Sequence, residues 1–160
     1  MSVRKLRLED SKRLRKLFLI ENTLKDTGIS VTQDKITNDF VNNWLKENLK
    51  QYSLKKPEFI VYSVCNYFNQ LIGTVGLGNI NYKKHSGEIG YWISLKNTGK
   101  GHCTNAIKIF LKNFPKLLKI NKIFAEVSEK NPASGKVLEK NEFKLIKKSK
   151  GYLFFEKKIY

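Results

Sequence analysis

Residues 87–104 read GEIGYWISLKNTGKGHCT and lead from an apolar strand into a helix. A short loop that contains Gly99 and Gly101 joins the two elements. A helix N-terminus offers free backbone N–H groups and a positive dipole end, and glycines let a ligand approach the backbone closely. The segment is therefore suited to bind a phosphate group, although the same glycines could simply form a turn.

The helix that follows this loop has the clearest periodicity in the sequence. Its apolar residues recur at positions i, i+3, i+4, i+7 and i+11, which is typical of an amphipathic helix, and Pro115 ends the pattern. The apolar stripe consists of Cys103, Ala106, Ile107, Phe110 and Phe114.

The chain before this segment predicts a strand and two helices. Val3, Leu6 and Leu8 indicate the strand. Capping residues Glu9, Asp10 and Ser11 start a helix with Leu14, Leu17, Phe18 and Leu24 on one face, and Gly28 ends it. A second helix begins near Thr32, carries Ile36, Phe40, Trp44 and Leu45, and stops before Pro57.

The remaining segments predict strands and one more helix. An antiparallel meander is formed by residues Phe59–Cys65, Leu71–Ile80 and Glu88–Ser94. A strand over Lys122–Ser128 precedes a helix that starts at Asn131-Pro132, and a hairpin over Phe143–Lys148 and Tyr152–Ile159 turns at Gly151. The predicted order is β-α-α-β-β-β-α-β-α-β-β, an α+β chain.

Length and composition set further bounds. A chain of 160 residues with 41% hydrophobic residues predicts one domain over residues 1–160 with an adequate core. Cys65 and Cys103 have no disulfide or zinc-site spacing, so we expect no metal and a reducing compartment. No apolar run approaches the roughly 20 residues of a membrane span. We therefore expect a soluble, cytoplasmic protein without a membrane partner.

The chain is strongly basic. Its 31 lysines and arginines against 14 acidic residues give a net charge of +17, which attracts polyanions. The excess is mainly lysine spread along the whole chain, as in an AT-rich genome, and no nucleic-acid-binding motif is present. P-loop and dinucleotide-binding motifs are also absent. The charge therefore fits a compositional origin, an anionic cofactor or an RNA surface.

A second motif, NPASGKVLEKNEF over residues 131–143, follows the glycine loop by about thirty residues. Together the two motifs resemble the GNAT superfamily of acyl-CoA-dependent N-acyltransferases over nearly the whole chain. Lys96, Gly99 and Gly101 are similar to the family's [Q/R]xxGx[G/A] motif. The second motif is similar to the NxxSxxVLEKxGF of the ribosomal-protein acetyltransferase branch, the RimJ/RimL type.

The resemblance implies a three-layer fold, with a mixed, mostly antiparallel sheet that is splayed and flanked by helices. Acetyl-CoA would lie in the splay, without a metal. Its pyrophosphate would rest on amides from Gly99 to Thr104, including Lys100, Gly101 and His102, near the charge of Lys96. Backbone groups of Ile93 and Leu95 would bond the pantetheine arm from one side, and Asn131 would contact it from the other.

The resemblance also assigns catalytic roles. Glu88 stands at the usual position of the base that removes a proton from the acceptor amine, and an N–H near Ile93 would stabilise the carbonyl oxygen. Leu138 occupies the place of the tyrosine acid of many relatives, so Ser134 becomes the candidate acid. A strand glutamate can equally be an ion-paired surface residue, and a serine at a helix start can equally be a cap.

Three positions invite separate expectations. Glu142 stands where relatives have glycine, and we expect Asn141 to adopt any positive φ that the turn needs. Cys103 lies at a helix start, where the dipole would favour its thiolate and make an acyl-cysteine route conceivable. Tyr91, Trp92 and Trp44 are expected in the core or in a pocket wall.

The acceptor is an amine, and the RimJ/RimL resemblance suggests a protein N-terminal α-amino group, with possible ribosome association. A small cationic amine, such as a polyamine or an aminoglycoside, remains open. Its pocket would collect acids, which the helical region supplies at Glu21, Asp26, Asp34, Asp39 and Glu47. A non-catalytic acyl-CoA-binding or RNA-docking module is the third alternative, and the oligomeric state can be monomer or homodimer.

Overall fold

The computed structural model describes residues 1–21 and 31–159. The order of helices and strands is the predicted one, with four helices and seven strands in the described residues. They are β1 (Ser2–Lys5), α1 (Ser11–Glu21), α2 (Asn38–Gln51), β2 (Ile60–Cys65), β3 (Leu71–Asn81), β4 (Ser86–Ile93), α3 (His102–Asn113), β5 (Lys122–Ser128), α4 (Pro132–Lys140), β6 (Lys144–Ser149) and β7 (Tyr152–Lys158).

The strands form one seven-stranded sheet in the order β1-β2-β3-β4-β5-β7-β6. Every neighbouring pair is antiparallel except β4 and β5, which are parallel. These two strands pair only where Ser86–Glu88 faces Lys122–Phe124, so their remaining residues diverge. The mixed, mostly antiparallel sheet is therefore splayed between β4 and β5, as predicted.

Helices cover the sheet on two faces. Ile107 and Phe110 of α3 and Leu138 of α4 share one buried cluster with sheet residues Ile89, Ile123, Ala125 and Phe155. Leu14 and Phe18 of α1 and Leu45 of α2 share a second cluster with Leu71 and Trp92 on the opposite face. Because β-strand side chains alternate between faces, Ile89, Tyr91 and Ile93 face α3, whereas Glu88 and Trp92 face the other way.

Two predicted boundaries were wrong. The first strand ends at Lys5, and Leu8 instead begins a short 3-10 turn with 57% of its surface exposed. The second helix begins at Asn38, because the Thr37 side chain accepts the Phe40 N–H and caps it there, while Thr32 precedes a separate 3-10 turn. Predictions for Leu24 and Gly28 lie outside the described residues.

The turn after α4 also differs from expectation. Glu142 has a φ of 64°, whereas Asn141 has a φ of −99°. The Asn141 backbone N–H donates to the Leu138 carbonyl at 2.9 Å, and its side-chain Nδ2 donates to the Val137 carbonyl at 2.9 Å, so Asn141 stays bonded to the last turn of α4 and the chain reverses one residue later. Lys157 Nζ then holds the Asn141 carbonyl at 2.8 Å and Glu142 Oε2 at 2.7 Å. The turn therefore has a positive φ at Glu142 itself, where relatives have glycine, and the alternative that Asn141 takes over this conformation was wrong.

Candidate active site

The splay exposes backbone groups of β4. Ser94 N–H donates to the Ile72 carbonyl at 2.8 Å. In an antiparallel pair the hydrogen-bonded residues alternate, so Trp92 and Ser94 bond β3 while Tyr91 and Ile93 direct their N–H and C=O groups toward β5. Since β5 has diverged there, Ile93 presents its backbone to the gap.

Leu95 lies just beyond this edge. It begins a 3-10 turn over Leu95–Asn97, and its carbonyl accepts the Thr98 N–H at 3.2 Å and the Thr98 hydroxyl at 2.7 Å. The backbone at Leu95 therefore does not continue the extended edge that Ile93 provides. Lys96, in the same turn, is exposed, and its carbonyl accepts a hydrogen bond from Lys100 Nζ at 2.9 Å.

The glycine loop leads to the uncapped start of α3. Gly99 and Gly101 have φ values of 72° and 75°, and open space surrounds the position where a Cβ would stand on either residue. No side chain caps the helix, and its first intrahelical bond runs from Asn105 N–H to the Gly101 carbonyl at 3.0 Å. Within residues 1–21 and 31–159, no hydrogen bond reaches the amides of residues 102–104, including His102 and Thr104. This geometry fits a phosphate group.

The second motif lies across the gap. Asn131 Oδ1 accepts the Ser134 N–H at 3.1 Å and caps α4, whose first residue is Pro132. Ser134 is half-buried. Its carbonyl accepts a hydrogen bond from the Tyr91 hydroxyl at 3.0 Å, which ties α4 to β4. Asn131 therefore serves as the N-cap of α4, as the Asn131-Pro132 pair predicts, and Ser134 supplies the N–H that this cap binds.

Tyr91 is a site residue that sequence reasoning left among core and pocket-wall candidates. Burial raises the pKa of its hydroxyl to about 12, and the electrostatic influence of Cys103 acts in the same direction. Side chains alternate along a strand, so the sequence indicates only that the Tyr91 ring lies on the α3 face with Ile89 and Ile93. Its hydroxyl partner depends on how α4 packs beside β4, which local sequence patterns do not specify.

Of the two interpretations of Cys103, the structure supports a place in the buried stripe of its helix and not a thiolate. Burial raises the pKa of the Cys103 thiol to about 11, so the thiol stays protonated at neutral pH. Cys103 packs against the buried cluster between α3 and the sheet. The structure therefore gives no support to an acyl-cysteine route.

Glu88 lies on the other face of β4, away from α3. Its Oε2 accepts a hydrogen bond from Asn79 Nδ2 at 2.7 Å. Asn79 has a φ of 47° and sits where the pairing of β3 with β4 is irregular, between Gly78 and Asn81. This irregularity directs the Asn79 side-chain amide toward the Glu88 carboxylate, and the resulting hydrogen bond holds the carboxylate in one orientation.

Beside Glu88, a cavity of about 170 Å³ opens between β4 and the β5–β7–β6 part of the sheet. Its walls are mainly apolar, and Glu126 supplies a second carboxylate. The lining residues are Glu88, Phe124, Ala125, Glu126, Ile146, Phe154 and Phe155. Backbone groups of β4 thus point into the gap between β4 and β5. The carboxylates of Glu88 and Glu126 lie next to the cavity, on the face of the sheet that points away from α3.

Three of the five acids proposed for a small-amine pocket have side chains within the described residues. Asp34, Asp39 and Glu47 are exposed, while Asp26 and the Glu21 side chain lie outside the described part of the chain. Within the described residues, no His, Cys, Asp and Glu cluster could hold a metal ion, and no helix is long and apolar enough to cross a bilayer.

Comparisons with known proteins agree with this geometry. The acetyltransferase (GNAT) domain family matches residues 1–144. No curated protein sequence matches the chain. Two similar solved structures act on ribosomal proteins according to their names. One is a ribosomal-protein-S5-alanine acetyltransferase from Vibrio fischeri, with 20% identity, a TM-score of 0.85 and coverage of 98% of this chain and 91% of that chain.

The other is RimL, a ribosomal L7/L12 alpha-N-protein acetyltransferase in complex with coenzyme A. It has 16% identity, a TM-score of 0.80 and coverage of 98% and 92% of the two chains. A chimera of the spermidine N-acetyltransferase SpeG from Vibrio cholerae and hSSAT is also similar, with 19% identity, a TM-score of 0.78 and coverage of 99% and 95%. At these identities the structures show the shared fold alone.

The family match covers most of the chain, and the splayed sheet, the glycine loop and the second motif stand in the corresponding order. The chain belongs to the GNAT acetyltransferase family and is an acetyl-CoA-dependent N-acetyltransferase.

Proposed function

We propose that this enzyme transfers an acetyl group to the N-terminal α-amino group of a protein. One observation carries the proposal. The uncapped start of α3 lies at one end of the gap between β4 and β5, and the Glu88 carboxylate lies on the face of the sheet that points away from α3. A donor in the gap and an amine beside Glu88 would then approach each other at β4. The likeness to two ribosomal-protein acetyltransferases and the RimJ/RimL-like second motif support the choice of acceptor.

On the donor side, we propose that the glycine loop holds the pyrophosphate. The loop residues Gly99, Lys100 and Gly101 and the amides of His102 and Thr104 would supply hydrogen bonds, while Lys96 and Lys100 would supply positive charge. Ile93 would bond the pantetheine arm as an added strand does. In the same proposal, Leu95 flanks the arm, and Asn131 closes the gap from the side of α4.

On the acceptor side, we propose Glu88 as the general base. A primary amine is mostly protonated at neutral pH, so a carboxylate must remove a proton, directly or through water, before nitrogen attacks. The nitrogen then bonds to the thioester carbonyl carbon, and the Ile93 N–H stabilises the charge that develops on oxygen. As the carbonyl re-forms and the carbon–sulfur bond breaks, the nitrogen releases its second proton to water, and Ser134 donates a proton to the departing thiolate and regains one from water.

We also propose the wider setting of the enzyme. The single domain over residues 1–160, the cytoplasmic location, the monomeric or homodimeric state and the ribosome association all remain predictions. Two free cysteines are compatible with a reducing compartment. A net charge of +17 would favour an approach to ribosomal RNA.

A small-amine acceptor is the second candidate function, because a spermidine N-acetyltransferase chimera shares the fold with a TM-score of 0.78. Thermal unfolding with and without acetyl-CoA, followed by thiol release with peptides or spermidine, separates the alternatives. A ligand at 100 times its dissociation constant stabilises the fold by about 2.7 kcal/mol. Thiol release with peptides supports our proposal, and release only with spermidine supports the second candidate. Stabilisation without release from either supports a non-catalytic module.

A further inference from the structure

The ionisable side chains in and around the cavity beside Glu88 are separated by the sign of their charge. Its two ionisable lining residues, Glu88 and Glu126, are both acidic, and aromatic side chains of Phe124 and Phe154 stand beside them. No described residue forms a hydrogen bond or an ion pair with the Glu126 carboxylate. The cavity has a volume of about 170 Å³, well above what a single water molecule needs. It therefore suits one ammonium group with a small side chain.

Lys147 lies beside Phe154, one of the residues that line this cavity. Cross-strand partners lie on the same face of a sheet, and Lys147 of β6 is the partner of Phe154, with its Nζ 5.8 Å from the centroid of that ring. Lys144 is the partner of Glu156 on the same face. Among the described residues, neither Lys144 nor Lys147 has a carboxylate within ion-pair distance.

Lys122 adds a third positive charge. Its Nζ lies 5.7 Å from the centroid of Phe124 and 3.8 Å from Glu156 Oε2. Glu156 lies close to Lys122 and opposite Lys144, so it compensates both of these lysines in part, while the Lys147 charge is left for a ligand. Acidic groups at the centre and basic groups at the rim together define the acceptor surface, which consists of Glu88, Phe124, Glu126, Lys144, Ile146, Lys147 and Phe154.

This order of charges distinguishes two kinds of acceptor. An extended polycation would place its first ammonium beside the carboxylates and its later ones beside Lys144 and Lys147, where like charges repel. A peptide places a single ammonium at the centre and can place carboxylates at the rim. We infer that the acceptor is a polypeptide whose N-terminal amino group is followed by acidic side chains. The inference rests on the proposed function and names the substrate class of that site.

The test uses three peptides that share an N-terminal serine and differ in the next three residues, which are all glutamate, all alanine or all lysine. The value of kcat/KM for each peptide, with spermidine as a fourth acceptor, measures the preference. Exposed ion pairs are individually weak, so we expect the glutamate peptide to exceed the alanine peptide roughly threefold to tenfold. The lysine peptide and spermidine should be the poorest acceptors.

Variants of β6 provide a matched pair. Lys147→Gln should reduce the ratio between the glutamate and alanine peptides about twofold to fivefold, mainly through KM. Lys148→Gln makes the same change of charge on the same strand, but Lys148 is the partner of Leu153 on the opposite face and should leave the ratio unchanged. A preference that also survives 0.5 M salt undiminished would contradict an electrostatic origin.

Failure of the inference differs from failure of the proposed function. Equal rates for the three peptides, a preference for the lysine peptide, or equal effects of Lys147→Gln and Lys148→Gln would overturn the inference while peptide acetylation stands. Acetylation of spermidine alone would overturn both. Absence of turnover with every acceptor, despite stabilisation by acetyl-CoA, would also overturn the proposed N-terminal acetylation.

Discussion

At the scale of single residues, Glu88 is the most consequential side chain of the proposed mechanism. Its carboxylate is half-buried, oriented by Asn79 at 2.7 Å, and next to a cavity that can hold an amine. A base that removes the ammonium proton accelerates the reaction most where the amine is protonated. The contribution of Glu88 should therefore depend on pH.

Glu88→Gln should lower kcat/KM at pH 7 by roughly 10²- to 10⁴-fold and leave acetyl-CoA binding unchanged. At high pH the amine loses its proton without help, so part of the rate should return. A pH profile of kcat/KM and calorimetric binding of acetyl-CoA measure the two effects. Glu139→Gln, an exposed change on α4, serves as the control, and an unchanged rate in Glu88→Gln would remove Glu88 from the mechanism.

Glu142 has a backbone conformation that lowers the stability of the fold. Its φ of 64° lies in the left-handed region, where a side chain is unfavourable. In its ion pair with Lys157, the Glu142 side chain is 86% exposed and the Lys157 side chain 18% exposed, so solvent screens the pair from the Glu142 side. Glu142→Gly should therefore raise the free energy of unfolding by roughly 0.5 to 1 kcal/mol. Glu139→Gly, inside α4, should lower it by about 1 kcal/mol. Urea unfolding measures both, and a loss of stability in both variants would contradict the strain at position 142.

At the scale of elements, the sequence predicted the glycine loop and the start of α4 well because both depend on local signals. Asn131-Pro132 carries its own cap and its own first-turn proline, and Gly99 and Gly101 precede an apolar stripe of helical period. The contact between the Tyr91 hydroxyl and the Ser134 carbonyl was not predictable in this way. It joins residues that are 43 positions apart, so it depends on the packing of a helix beside a splayed strand.

A substitution at Gly101 tests whether the glycine loop binds acetyl-CoA. Its φ of 75° makes Gly101→Ala strained, with a loss of roughly 1 to 2 kcal/mol of stability, and the added methyl group would stand where a phosphate approaches. We expect weaker acetyl-CoA binding in addition to the lower stability. Gly151→Ala at the β6–β7 turn, where φ is 80°, is the matched control and should lose stability only. Equal binding by both variants would remove the loop from the donor site.

The entry to α1 is fixed by a buried ion pair. Arg4 of β1 contacts Asp10 through two nitrogens at 2.7 and 2.9 Å, and Ser63 of β2 donates to the same carboxylate at 3.2 Å. Burial alone would raise the pKa of Asp10, but hydrogen bonds from Arg4 and from the Arg7 N–H outweigh it and lower the pKa below its usual value. This carboxylate therefore stabilises the fold when ionised.

Asp10→Asn should lower the free energy of unfolding at pH 7 by about 3 kcal/mol, because it leaves the Arg4 charge without its partner. A lowered pKa contributes stability above the unfolded value near 4, and this contribution is lost as pH falls through the folded value. The difference between wild type and variant should therefore shrink between pH 7 and pH 3. Urea unfolding at several pH values measures it, with exposed Asp34→Asn as control, and a constant difference would contradict the role of ionisation.

At the scale of the whole molecule, the fold class was predictable because each strand and helix has its own periodicity. The sites that depend on strand order were harder to predict from the sequence. Glu126 and Ile146 line one cavity with Glu88 only because β5 pairs with β7 and β7 pairs with β6. No local pattern around Glu126 indicates a site. The acceptor surface is therefore a property of topology, whereas the donor site is largely a property of two motifs.

The net charge of +17 is also a property of the whole molecule. Like charges repel one another more strongly in the compact state than in the expanded chain, so the charge opposes folding. Raising sodium chloride from about 0.05 to 0.3 M shortens the screening length and should increase Tm by a few degrees. Differential scanning calorimetry without acetyl-CoA measures this effect, with an equal osmolality of sucrose for comparison. A decrease of Tm with salt would show that attractive ion pairs dominate.

The order of strands has a consequence for synthesis. Although β7 follows β6 in the chain, it lies between β5 and β6 in the sheet, so one wall of the gap is incomplete until residues 152–158 have been made. Translation adds about 5 to 20 residues per second, and the earlier strands must wait for this last insertion. A nascent copy that lacks β7 therefore has an incomplete sheet, and the β5 wall of the gap gains its neighbour only after residues 152–158 have been made.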